Sequence, residues 1–121
     1  MAEHEVFVHE VRVRLGDGAD PAALGGAVTS ALCGHWEHEP PCTWPHHSTA
    51  KRLGDETVCR AVFLAPPAEE PEVRRRIDDR LAAGSLLGPD GRMSSWRHLG
   101  SSVADPTPAD LARANGFPPP G

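Results

Sequence analysis

The chain has no run approaching the roughly 18 apolar residues that a membrane-spanning helix needs, so a helical membrane protein is not expected. Its first residues, MAEHEVFVHE, lack the basic-then-apolar pattern of a secretory leader. Cysteine is scarce and odd in number, and three thiols do not make a disulfide framework. With no leader, the expected location is the cytoplasm, where thiols stay reduced. Cys33 and Cys42 are free to pair in an oxidising setting. Lysine is nearly missing: Lys51 stands against eleven arginines, a skew that fits GC-rich coding better than guanidinium chemistry. No Ser-His-Asp signature, Gly-rich phosphate loop or H-E-x-x-H motif occurs, so no enzyme class is favoured. Thirteen prolines and twelve glycines show no collagen period and announce long loops or a loose tail.

What is present fits one globular domain. The chain has 121 residues, near the usual size of a single domain. Its 39% hydrophobic and 24% charged content lies close to the globular average. Seventeen acids against twelve bases give a net charge of −5, which argues against the phosphate neutralisation of a nucleic-acid binder. Protonating all seven histidines would move −5 to +2, so mild acid can reverse the surface charge.

Along the chain, residues Glu5 to Leu15 alternate: Phe7, His9, Val11, Val13 and Leu15 face one way, and Glu10, Arg12 and Arg14 the other. This predicts a long strand ended by Gly16-Asp17-Gly18. Asp20-Pro21 is a helix start, with Leu24, Val28, Ala31 and Leu32 as an apolar stripe and Gly34 as the stop. Residues 35–48 follow no period and read as a loop. Ser48 to Leu53 and Glu56 to Ala65 read as strands joined by a two-residue turn with Gly54 first. The second is apolar on both faces and belongs in the middle of a sheet. Glu69 to Ala83 forms a helix burying Val73, Ile77 and Leu81. Its Arg74, Arg75 and Arg76 read as a solvated face paired with Asp78, Asp79 and nearby glutamates. Gly88 to Gly91 is a turn, Met93 to Val103 a last strand, and Thr107 to Ala114 a capped short helix.

Strand, helix, strand, strand, helix, strand is the order of the ferredoxin-like βαββαβ pattern, an α+β antiparallel sheet with two helices on one face. The expectation is one such domain over residues 1–104, followed by a C-terminal helix and Pro-rich tail over 105–121. The open sheet face then needs cover. Val6 and Val8 on that side suggest a homodimer, or an enclosed small-molecule ligand.

The chemistry-bearing segment is Cys33 to His47, which gathers four histidines and two cysteines in fifteen residues. Thiolate and imidazole are the ligands zinc takes, usually four in a tetrahedron. Cys42-x-x-x-His46 matches the step that closes several small zinc modules. The preferred set is Cys33, His38, Cys42 and His46, with His35 and His47 as substitutes. A set including Glu37 or Glu39 would suit nickel, cobalt or iron. Bound metal would order the loop. The blander reading has Cys33 buried and Trp36 and Trp44 packed over the core.

Elsewhere, Cys59 reads as core, His4 as terminal and exposed, and His9 as a satisfied core histidine within reach of the loop. Trp96 and His98 share one face of the last strand, with Arg97 opposite. Together with Trp36, Trp44 and His9, they are the candidate lining of a pocket. Three functions compete. The first is a small metal-binding protein with a role in structure, sensing or metal handling. The second is an enzyme using a Cys33 or Cys42 thiolate beside a histidine. The third is a metal-free dimeric accessory module holding a small molecule or partner chain on the open face.

Overall fold

A computed structural model describes residues 4–33, 43–88 and 90–117. β1 (Glu5–Leu15) runs through the centre of the sheet, as its alternation and its Val and Phe content favour. It pairs antiparallel with β3 (Glu56–Ala65) on one side and β5 (Met93–Ala104) on the other. β2 (His46–Leu53) lies outside β3, and the three-residue β4 (Ser85–Leu87) lies outside β5. Three helices complete the chain: α1 (Ala22–Cys33), α2 (Glu70–Ala82) and α3 (Pro108–Ala114).

The ferredoxin-like βαββαβ expectation is corrected by this arrangement. The sheet is five-stranded, ordered β2-β3-β1-β5-β4, and curls into a half-barrel with three helices. The added strand β4 is too short to leave a period in the sequence. A register shift between Arg12 and Val13 in the β1/β5 pairing marks an irregularity of the kind that bends and twists a strand. β2 also begins earlier than its composition suggests. His46 and His47 are already paired with Phe63 and Val62.

Two connections follow their turn chemistry. Gly54, with φ of 65°, leads the turn joining β2 to β3, and among the described residues no non-glycine residue has positive φ. Gly84 ends α2 with φ of 77°, and a Cβ there would lie 3.0 Å from the Trp96 carbonyl. Trp96 in turn donates its indole N–H to the Leu81 carbonyl at 2.8 Å, binding β5 to the last turn of α2.

The core lies between α1, α2 and one face of the sheet. Phe63, Val11, Val13, Leu24, Val28, Val73, Ile77 and Leu81 are fully buried there. Cys59 joins them, and burial pushes its thiol up to about 12, consistent with an unreactive core cysteine. No helix among the described residues is long and apolar enough to cross a membrane.

The second face is organised in rows by the strand register. His47, Val62, Val8 and Ala104 form one row, and Thr49, Arg60, Glu10 and Ser102 the next. Lys51, Val58, Arg12 and Gly100 form the third, and beyond it lie Leu53 opposite Glu56 and Arg14 opposite Arg97. Only the first row is buried, with Val8 at 0% and Val62 at 4% exposure. α3 packs against β3 on this side, with Ala114 buried. The chain therefore covers Val8 itself, and the remaining rows carry charge rather than an apolar patch.

α3 is held by a capping box between Thr107 and Asp110 and by the Arg60–Asp110 ion pair. Burial pushes the Asp110 carboxyl up, but the Thr107 hydrogen bonds and the Arg60 charge outweigh it, and the net direction is down. A lowered carboxyl stabilises the fold above its unfolded pKa, and that contribution is lost as pH falls through the folded one. Asp110→Ala is expected to lower stability at neutral pH by about 1–2 kcal/mol in urea melts. The difference from wild type should shrink toward acid, and the amides of α3 should exchange faster.

Candidate functional site

The proposed metal ligands do not all fall where they can be followed. His35, Trp36, Glu37, His38, Glu39 and Cys42 lie outside the described residues. Cys33, at the end of α1, is half-buried against the core and disulfide-bonded. A disulfide sulfur is not the thiolate that zinc takes, so any site using Cys33 requires reduction first. His46 points toward α1. Its Nδ1 bonds the Trp44 carbonyl at 3.0 Å, an acceptor, so Nδ1 carries the proton. Its Nε2 then accepts from the Thr29 hydroxyl at 3.0 Å. Among the described residues, no group of three or more His, Cys, Asp or Glu side chains is placed to hold a metal ion.

The residues expected to line a pocket sit apart. Trp44 is buried at the start of α2, where its indole N–H donates to Glu69 at 2.9 Å and the Arg76 guanidinium stacks 4.9 Å from the ring. Trp96 is buried at the other end of α2. His98 lies opposite Val13 across the β1/β5 pairing, with its Nε2 buried and unpartnered. His9 is 4% exposed and fully engaged. Arg74 donates to its Nδ1 at 3.0 Å, which leaves Nε2 to donate to Asp78 at 2.7 Å.

Arg74 is the clearest departure from the solvated arginine face. Arg75 and Arg76 are exposed and bond Glu72, whose carboxyl those two hydrogen bonds lower. Arg74 instead is buried, one position after Val73 on the core side of α2. It donates to the Val8 carbonyl at 2.7 Å and to Glu70 at 2.8 Å, and its guanidinium lies 5.9 and 5.5 Å from the Phe7 and Phe63 rings. Its Nε and Nη1 donors are both engaged by the protein. This cluster fixes α2 on β1.

His47 does meet another element at the sheet's second face. His46 and His47 open β2 beside α3, and with Asp110, Arg113 and Phe117 they line a groove of about 870 Å³. Asp110 is already bonded by Thr107 and Arg60. The guanidinium of Arg113 makes no hydrogen bond or ion pair with any described residue. Burial lowers the His47 pKa, and the Arg113 charge lowers it further. The groove therefore gathers one cation without an ion partner among the described residues, one imidazole discouraged from charging, and the half-buried Phe117 ring. Among the described residues its lining includes no serine, cysteine or threonine.

Two smaller clefts flank the start of α1. One, about 410 Å³, is lined by Asp17, Arg52, Asp55 and Thr57; the other, about 560 Å³, by Asp20, Asp90, Arg92 and Ser94. Their polar groups largely serve local structure: Arg52 donates to the Gly54 carbonyl, while Asp20 and Asp90 accept from backbone N–H groups two residues on.

Arg113 and Phe117 carried no signal in the sequence, because nothing local places α3 beside the start of β2. Arg113 lies in the last turn of α3 and Phe117 just beyond its end, and what they pack beside is visible only in the folded chain. No family model matches the chain, and neither a curated protein nor a solved structure matches it.

Proposed function

We propose that the protein is a non-catalytic binding module that takes a small carboxylate-bearing molecule in the groove between β2 and α3. The observation that carries this reading is the unpaired Arg113 facing His47. A carboxylate supplies the fork of acceptors that a guanidinium pairs with best. It also offsets the Arg113 charge that adds to burial in keeping His47 neutral, and Phe117 offers an apolar wall to the rest of the ligand.

Linkage sets the pH dependence. In the free protein the lowered His47 pKa favours the neutral imidazole, so this residue stabilises the fold above the unfolded pKa and opposes it as pH falls. A bound carboxylate raises that pKa, so binding takes up a proton. Affinity should rise as pH falls through the bound-state pKa and level off below the free-state one. Calorimetry with benzoate in buffers of different ionisation heat should show the proton uptake. Arg113→Ala should return the His47 titration, followed by NMR, toward the usual 6.5 and weaken benzoate about five- to tenfold. Unchanged affinity in Arg113→Ala and in His47→Ala would overturn the reading.

A second reading keeps the transition metal, on the strength of the His- and Cys-rich segment itself. Its ligands would be Cys33, His38, Cys42 and His46, with His35 and His47 in reserve, and zinc the expected ion. The Cys33 disulfide makes reduction a precondition. Disulfides persist in oxidising compartments and are reduced in the cytoplasm, so the state of Cys33 in the cell reports where the protein works. Elemental analysis separates the readings: the carboxylate module holds no stoichiometric zinc before or after reduction. About one equivalent appearing only after reduction, and lost in Cys42→Ser, establishes the metal site instead.

A further inference from the structure

We propose that the uncovered half of the second sheet face docks an extended acidic segment of a partner protein. α3 protects only the row containing Val8 and Val62. Past it, Arg14 and Arg97 stand directly opposite each other on neighbouring strands. Like charges in that position destabilise a sheet, and Arg97 has no ion pair or side-chain hydrogen bond with any described residue. Arg12, two residues along the same face, lies over Gly100, where a Cβ would come within 3.2 Å of its Nη2. Glycine at that position leaves room for the guanidinium against the strand. Lys51 lies in the same row as Arg12.

The carboxylates at hand hold these cations loosely. Arg12–Glu56 and Arg14–Asp55 are both 3.3 Å long, with the arginine side chains 57% and 47% exposed. Exposed pairs of this kind contribute little and exchange readily. Carboxylates at alternate positions of an extended chain are about 7 Å apart, the step that separates Arg12 from Arg14 along β1. A segment alternating acidic and neutral residues therefore meets both guanidiniums in register, with Arg97 beside them.

A nucleic acid fits less well. No aromatic side chain stands in these rows to stack a base. Glu10 and Glu56 interrupt the positive charge that a continuous polyanion requires.

The test uses fluorescence anisotropy on the full chain with a labelled eight-residue peptide alternating Glu and Thr. The Gln-for-Glu peptide and an eight-nucleotide thymidine strand are the competing probes. The Glu peptide should bind at low salt and weaken severalfold at about 0.3 M salt. Arg97→Glu and Arg14→Glu should each weaken it about tenfold, and Gly100→Ala about two- to threefold through displacement of Arg12. Arg92→Glu, beside α1 and off this face, should leave it unchanged. All four positions are exposed or half-buried, and circular dichroism confirms that each variant folds. Equal binding of the Gln peptide, tighter binding of the thymidine strand, or indifference to Arg97→Glu overturns the proposal. So does a concentration-dependent dimer, seen by sedimentation, that Arg97→Glu dissolves, since the face would then belong to a second copy.

Discussion

The contact on which the second face depends is Val8 against Val62. β1 and β3 are central strands, and at this end both carry apolar residues on both sides. The core face is met by α1 and α2, which leaves two valines that would otherwise stay in water. Fully burying a valine contributes roughly 1.5–3 kcal/mol, enough to justify the docking of a seven-residue helix that would not persist alone. The capping box and the Arg60–Asp110 pair then fix where α3 lies. Once it lies there, Arg113 and Phe117 face His47 across the groove. The site is thus a consequence of covering a small apolar patch at one end of a sheet whose other end is charged.

On the opposite face, one buried arginine has a comparable role. A buried guanidinium is tolerated only when its donors are satisfied, and Arg74 reaches Glu70, the Val8 carbonyl and His9 while stacking on two phenylalanines. It ties the helix to the same residue of β1 whose side chain α3 covers from the other side. Val8 is therefore held by backbone from one layer and by side chain from the other.

Much of the fold is legible wherever a period is long enough to read. Eleven residues of alternation identify β1, the doubly apolar run places β3 centrally, and Gly54 marks their neighbour's hairpin. β4 is invisible because three residues, Ser85 to Leu87, cannot establish a period. The start of β2 is hidden for a different reason. Its residues facing the helices, His46, Ser48 and Ala50, are small or polar, since α1 approaches closely there. A Cβ on Gly25 would come within 3.6 Å of Ser48. Arg74 is masked by its neighbours: three consecutive arginines look solvated, and only their phase relative to Val73 and Ile77 separates the first from the other two. The histidine cluster draws attention to the right stretch of chain, yet the cation that completes the groove, Arg113, lies far along the chain in α3, a relation no local pattern encodes.

The groove and the basic rows share one sheet face, so their independence needs a physical argument. Between them lies the row Thr49, Arg60, Glu10 and Ser102, in which Arg60 spans Glu10 and Asp110. Two sites are coupled only if each ligand distinguishes two states of something they share. The shared element here is Arg60. Asp110 is held by the Thr107 backbone as well as by Arg60, and a carboxylate entering the groove meets Arg113 and His47 first. It has no need to displace Asp110, and another negative charge near Asp110 makes Arg60 harder to release. A segment on the basic rows engages Arg12, Arg14 and Arg97, none of which touches α3. On these two proposals Arg60 keeps one arrangement in both bound forms, and the two surfaces are expected to act independently.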